Sequence, residues 1–119
     1  MKKILIIEDE PDVAETIKAY LEGAGYSAEY SLDPAKAVKD LNKFDLLLLD
    51  LIMPRFSGHQ VLKEMKKGGI KKPVVVLSAV GLPGVISAEL KRDYPGVLFV
   101  AKTAMHSELL PAIKKLIGQ

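Results

Sequence analysis

Residues Phe44 to Gly58 read FDLLLLDLIMPRFSG, and the rest of the chain takes its meaning from this stretch. Leu46 to Leu49 form an unbroken apolar run, too short for a typical helix. Such a run predicts a strand buried on both faces, as in a parallel sheet covered by helices. Asp50 ends the run, and Met53-Pro54 and Ser57-Gly58 then turn the chain. A buried strand that ends in one acid delivers a carboxylate to the mouth of the sheet, where open α/β folds bind ligands. Asp50 is the first candidate functional residue.

Working outward, the same pattern recurs. Ile4 to Ile7 is a second continuous apolar run and ends in Glu8-Asp9-Glu10. Pro11 suits a first helical position, and Val13, Ile17, Leu21 and Ala24 make an apolar stripe that Gly25 closes. Ser27 to Ser31 is a weaker strand, expected at an edge. Asp33 before Pro34 reads as an N-cap opening a short helix through Val38 and Leu41. Beyond Asp50, Ser57 is expected to cap a third helix with Val61, Leu62 and Met65 inward, stopped by Gly68-Gly69. Val74 to Leu77 is a fourth buried run and ends at Ser78. The segment from Gly81 to Gly96 is rich in Gly and Pro, so any helix around Ile86 to Leu90 is short. Val97 to Ala101 is the fifth strand and ends at Lys102. A last helix, capped by Ser107, turns Leu109, Leu110, Ile113 and Leu116 inward, with Pro111 in its early turns. Five strands alternating with five helices predict an α/β, doubly wound parallel sheet with helices on both faces. Periodicity alone leaves the strand order open.

The bulk composition sets limits. The 119 residues, 49% hydrophobic, suffice for one domain with a core, expected over 1–119. A formal charge of +2 is too small to argue for nucleic acid. There are no cysteines, which excludes a disulfide framework and thiolate metal ligation. The run Ile4 to Ile7 is too short for a signal peptide or a membrane span, and a cytoplasmic protein without membrane contact is expected. His59 and His106 read as surface residues. Lys63, Lys66, Lys67, Lys71 and Lys72 read as a solvated face suited to a helix C-terminus; no recognition unit accompanies them, so direct nucleic-acid binding is not expected.

In such a sheet, the C-terminal ends of all the strands share one edge. Glu8, Asp9, Asp50, Ser78 and Lys102 would converge there. Three ionised carboxylates repel one another unless a cation compensates. An all-oxygen donor set without Cys or paired His selects Mg²⁺, with Mn²⁺ also admissible. A hard cation beside a lysine and a hydroxyl suits phosphoryl oxygens. A carboxylate there can act as nucleophile and become an acyl phosphate.

On these residues, the whole chain resembles the receiver domains of two-component response regulators. The resemblance rests on Glu8-Asp9, on Asp50 with Met53-Pro54 and Gly58, on Ser78-Ala79, and on Lys102, in order and at strand ends. It implies a flavodoxin-like (βα)5 fold of strand order 2-1-3-4-5. It implies that Asp50 accepts a phosphoryl group from a sensor histidine kinase, a phosphotransfer protein or a small phosphodonor. Asp9, Asp50 and the backbone carbonyl of Ile52 would ligate Mg²⁺, with Glu8 in the outer sphere. Lys102 would pair with a phosphoryl oxygen and Ser78 would hydrogen-bond it. Phe99 would turn inward as the switch, so that the fourth helix, fifth strand and fifth helix repack. The output would be control of a target protein, control of a C-terminal effector domain if the chain belongs to a longer regulator, or passage of the phosphoryl group along a relay. A homodimer is compatible with the family. Chemistry beyond self-phosphorylation and autodephosphorylation is not expected: aspartyl-phosphate enzymes carry a second acid two residues after the nucleophile, and here that residue is Ile52.

The sequence departs from the family at three places. Thr103 follows Lys102 where the family has a cis proline; without proline a cis bond costs about 2.5–4 kcal/mol, so the lysine loop is strained or rebuilt. Val80 to Gly96 fits the family's fourth helix poorly. Ile52 and Val80, which flank the phosphoryl group, are both apolar and would hinder a hydrolytic water. The alternative function is a receiver-like protein-interaction module that is never phosphorylated.

Overall fold

A computed structural model of the protein describes residues 1–50, 58–78, 92–94 and 96–118. Its strands are β1 (Lys3–Ile7), β2 (Ser27–Ser31), β3 (Leu46–Asp50), β4 (Val74–Ser78) and β5 (Val97–Ala101). They form one sheet of order β2-β1-β3-β4-β5, parallel throughout. Four helices are described: α1 (Pro11–Gly23), α2 (Pro34–Asp40), α3 (Gly58–Lys67) and α4 (Met105–Ile117). The short fourth helix expected near Ile86 lies outside the described residues, as does the expected Ser57 cap.

The continuous apolar runs resolve into two alternating sets, because successive side chains of a strand point to opposite faces. Leu5, Ile7, Leu47, Leu49, Val74, Val76 and Val97 pack on one face with α2 and α3, through Val38, Val61, Leu62 and Met65. Ile4, Ile6, Leu46, Leu48, Val75, Leu77 and Val100 pack on the other with Ile17 and Leu21 of α1 and Leu109 and Ile113 of α4. Every residue of β3 is buried. A strand in the middle of the sheet with two covered faces needs apolar residues at both parities, and LLLL supplies them. The weaker strand β2 is at the edge, where fewer side chains are covered.

The local signals mostly hold. Pro11 and Pro34 open α1 and α2, and the Asp33 carboxylate accepts from the Lys36 amide at 3.3 Å as an N-cap. Gly25 has φ +96, which lets Tyr26 N–H return to the Leu21 carbonyl at 3.1 Å and end α1. Two details shift. The buried stripe of α1 is Ala14, Ile17 and Leu21, with Val13 half-buried and Ala24 exposed. The last helix begins at Met105 and not after Ser107, because the 3₁₀ turn Lys102–Ala104 leads straight into it. Ser107 Oγ donates to the Ala104 carbonyl at 3.3 Å from within the first turn. Pro111 therefore falls in the second turn, and the N–H it lacks is the one that would have reached the Ser107 carbonyl.

Candidate functional site

The sheet register sets the site's geometry. Ile7 pairs with Leu49, so Glu8 and Asp50, one residue further on each strand, stand level on adjacent strands. Asp50 pairs with Leu77, and Leu77 with Val100; Lys102 lies two residues beyond Val100 and shares its parity. Glu8, Asp50 and Lys102 thus continue the Ile4–Ile6, Leu46–Leu48 and Val100 rows, on the face covered by α1 and α4.

The side chains meet there. Lys102 Nζ lies 3.2 Å from Asp50 Oδ2 and 3.4 Å from Glu8 Oε2. One ammonium bridges two buried carboxylates. Glu8 is 1% and Asp50 6% exposed, while Asp9 is half-buried at the rim. The other oxygen of Glu8 accepts the backbone amides of Asp9 at 3.1 Å and Glu10 at 3.3 Å. The Glu8-Asp9-Glu10 turn before α1 therefore wraps its own first carboxylate. This wrapping is invisible in the sequence, which places Glu8 at the strand end but does not show what its carboxylate accepts.

Burial pushes the Glu8 carboxyl up from 4.5 to about 7; the Asp50 charge adds to the rise and Lys102 opposes it. Burial alone would lower the Lys102 ammonium, but Asp50 and Glu8 outweigh it and the group ends above its usual value. Among the described residues, the site is rich in negative charge and short of positive charge. One oxygen from each of Glu8, Asp9 and Asp50 lies within 4.8 Å of the others. A convergent, oxygen-only donor set of three acids, two of them buried, fits a small hard divalent cation.

Four of the residues singled out from sequence, Glu8, Asp9, Asp50 and Lys102, are together. Ser78 ends β4 one step beyond the level of Asp50, and its side chain lies outside the description, as do Ile52 and Val80. Phe99 pairs with Val76 and is half-buried on the opposite face, against the α2–α3 core. At Thr103 the loop is rebuilt: no cis peptide occurs among the described residues, and Lys102–Ala104 closes as a 3₁₀ turn. Most of the irregular Val80–Gly96 segment lies outside the described residues. What sequence reading missed is the partner of Lys66, whose Nζ lies 5.7 Å from the centroid of the Tyr94 ring.

Three comparisons bear on this site. The family model described as "Response regulator receiver domain" matches residues 4–114. The transcriptional regulatory protein DltR of Streptococcus agalactiae is 35% identical over 79 residues, 65% of this chain and 35% of that protein. The response regulator SaeR of Staphylococcus aureus is 32% identical over 80 residues, again 35% of its length. The chain thus spans about a third of the curated relatives it matches. Among solved structures, the response regulator TrrA of Thermotoga maritima in complex with Mg²⁺-BeF is 30% identical. It superposes with a TM-score of 0.81 over 98% of this chain and 99% of that one. TrrA has also been solved in complex with the histidine kinase ThkA.

Proposed function

The chain belongs to the response regulator receiver domain family, and on that premise we propose that residues 1–119 form one phosphorylation-dependent signalling switch. Receiver domains are signalling modules and not classical enzymes. The observation that carries the reading is Asp50: a buried carboxylate at a strand end, 3.2 Å from a lysine and beside two further acids. Asp50 is the phosphoacceptor. Its carboxylate oxygen attacks phosphorus, the bond from phosphorus to the donor's imidazole nitrogen or acyl oxygen breaks, and the donor leaves with the electron pair. An acyl phosphate on Asp50 results.

Asp9, Asp50 and the Ile52 carbonyl would hold Mg²⁺, or Mn²⁺, with Glu8 in the outer sphere. When bound, the ion supplies positive charge against the phosphoryl oxygens. Lys102 then exchanges a carboxylate for a phosphoryl oxygen, Ser78 donates to another, and Phe99 repacks with its strand and the helices flanking it. TrrA, seen with Mg²⁺-BeF and with a histidine kinase, supports a histidine kinase or phosphotransfer protein as donor for this chain. The output is a downstream target, a C-terminal effector domain or a further relay step. Among the described residues no helix is long and apolar enough to cross a membrane; we place the protein in the cytoplasm, where phosphodonors reside.

Incubation with Mg²⁺ and acetyl phosphate tests this. The expected result is a gain of about 80 Da, one phosphoryl group, lost in Asp50→Asn and in chelator. Without any gain, the non-phosphorylated interaction module becomes the better reading. Ile52 and Val80, apolar and each two residues past Asp50 and Ser78 in the sequence, would hinder the hydrolytic water, and on this reading the phosphorylated state is long-lived. Ile52→Asn should shorten its half-life several-fold, and an unchanged decay would remove this role.

A further inference from the structure

At the end of the sheet opposite Asp50, the second half of α3, the turn after it and the starts of β4 and β5 enclose a cavity of about 610 Å³. Its walls are apolar: Leu62 and Met65 of α3, Ile70, Val74, Val97, and Leu116 of α4. This is within the range of small-ligand and peptide-anchor pockets. Beside it, sharing Lys66, Asp93 and Tyr94, is a second hollow of about 650 Å³ lined by Lys63, Lys67, Glu64 and Gln60. The sequence reading of these lysines as a solvated face is incomplete. Lys66, Lys71 and Lys72 rim the apolar cavity itself, and Lys63, Lys66, Lys67 and Lys71 are exposed.

We propose that this groove docks a segment of a partner protein in which an aliphatic or aromatic side chain is flanked by acidic residues. The anchor enters the cavity between Met65, Ile70 and Val97, and the acids meet the lysines along α3 and the following turn. Charge and shape both select this occupant. Among the described residues, five lysines against Glu64 and Asp93 leave the rim positive, yet the two acids among them disfavour a uniform polyanion such as nucleic acid. A recess asks for a projecting side chain, which a flat anionic membrane does not present. Lys66 is already held over Tyr94, so part of the ordering cost of binding is met beforehand. Charge complementarity of this kind acts mainly on specificity and association rate.

The test is a two-dimensional NMR titration of the full chain with a short synthetic peptide, a leucine–phenylalanine pair flanked by glutamates. The expected result is saturable shifts at the amides of Lys66, Ile70, Val74, Tyr94 and Val97. Affinity should fall roughly tenfold in the double variant Lys66→Glu/Lys67→Glu, and also in Ile70→Ala. Phosphoryl acceptance at Asp50 should be unchanged in both, showing that the variants fold. Absence of saturable shifts, or equal binding of a peptide with lysines in place of the glutamates, overturns the proposal. So does tighter binding of a single-stranded oligonucleotide or of phosphatidylglycerol vesicles at the same amides, which would assign the surface to nucleic acid or membrane.

Discussion

At the scale of residues, one lysine serves two buried carboxylates, and the balance is sensitive to pH. A carboxyl raised in the folded state from 4.5 to about 7 binds its proton more tightly folded than unfolded. Its contribution to stability is therefore complete below pH 4.5 and is lost as pH rises through 7. Glu8→Gln, which keeps the shape without the charge, should match the parent near pH 4 in chelator. By pH 8 it should exceed the parent by up to about 3 kcal/mol. Added Mg²⁺ should close the gap, because a cation bound to the ionised acids replaces the proton. Denaturant melts at the two pH values, with and without Mg²⁺, check this. A gap that does not widen with pH would mean that burial costs Glu8 little.

At the scale of elements, what the sequence disclosed follows from how each residue's job is encoded. Buried strands announce themselves as apolar runs, so Asp50 and Glu8 could be found as the acids that end them. Lys102 was legible for the same reason. Helix starts were legible where a proline and an acid mark them, as at Asp33-Pro34. Ser107 misled because a cap-forming residue also fits a first turn, and only the 3₁₀ turn at Lys102 decides between the two. The Lys66–Tyr94 contact was illegible, since nothing local links residues that distant along the chain. Which face each leucine of β3 serves was equally hidden, and it has a measurable consequence. Leu48, 1% exposed, lies in the same row as Asp50, against α1 and α4. Leu48→Ala should cost about 2–5 kcal/mol and loosen the floor under the site, lowering the rate of phosphoryl acceptance as well as the denaturation midpoint. Leu47→Ala, equally buried but on the α2–α3 face, should cost as much stability and leave that rate nearer the parent's.

At the scale of the whole molecule, β3 is the middle strand of five and has no exposed residue, whereas β2 is an edge strand with half-open side chains. Backbone amides in such a fold exchange with solvent deuterium through openings of graded cost, lowest at edges and highest at the centre. The amides of Leu47, Leu48 and Leu49 should therefore be among the last to exchange, and those of Ala28 to Tyr30 much earlier, in a native-state exchange series. Equal rates in the two strands would mean that the sheet opens only as a unit. With graded opening, the edge and the surface helices can breathe many times while the centre stays closed. Asp50, the proposed phosphoacceptor, is fastened to the part of the protein expected to come apart last. Its carboxylate would then keep its address through partial openings, and a phosphoryl group carried there would outlast the molecule's own fluctuations.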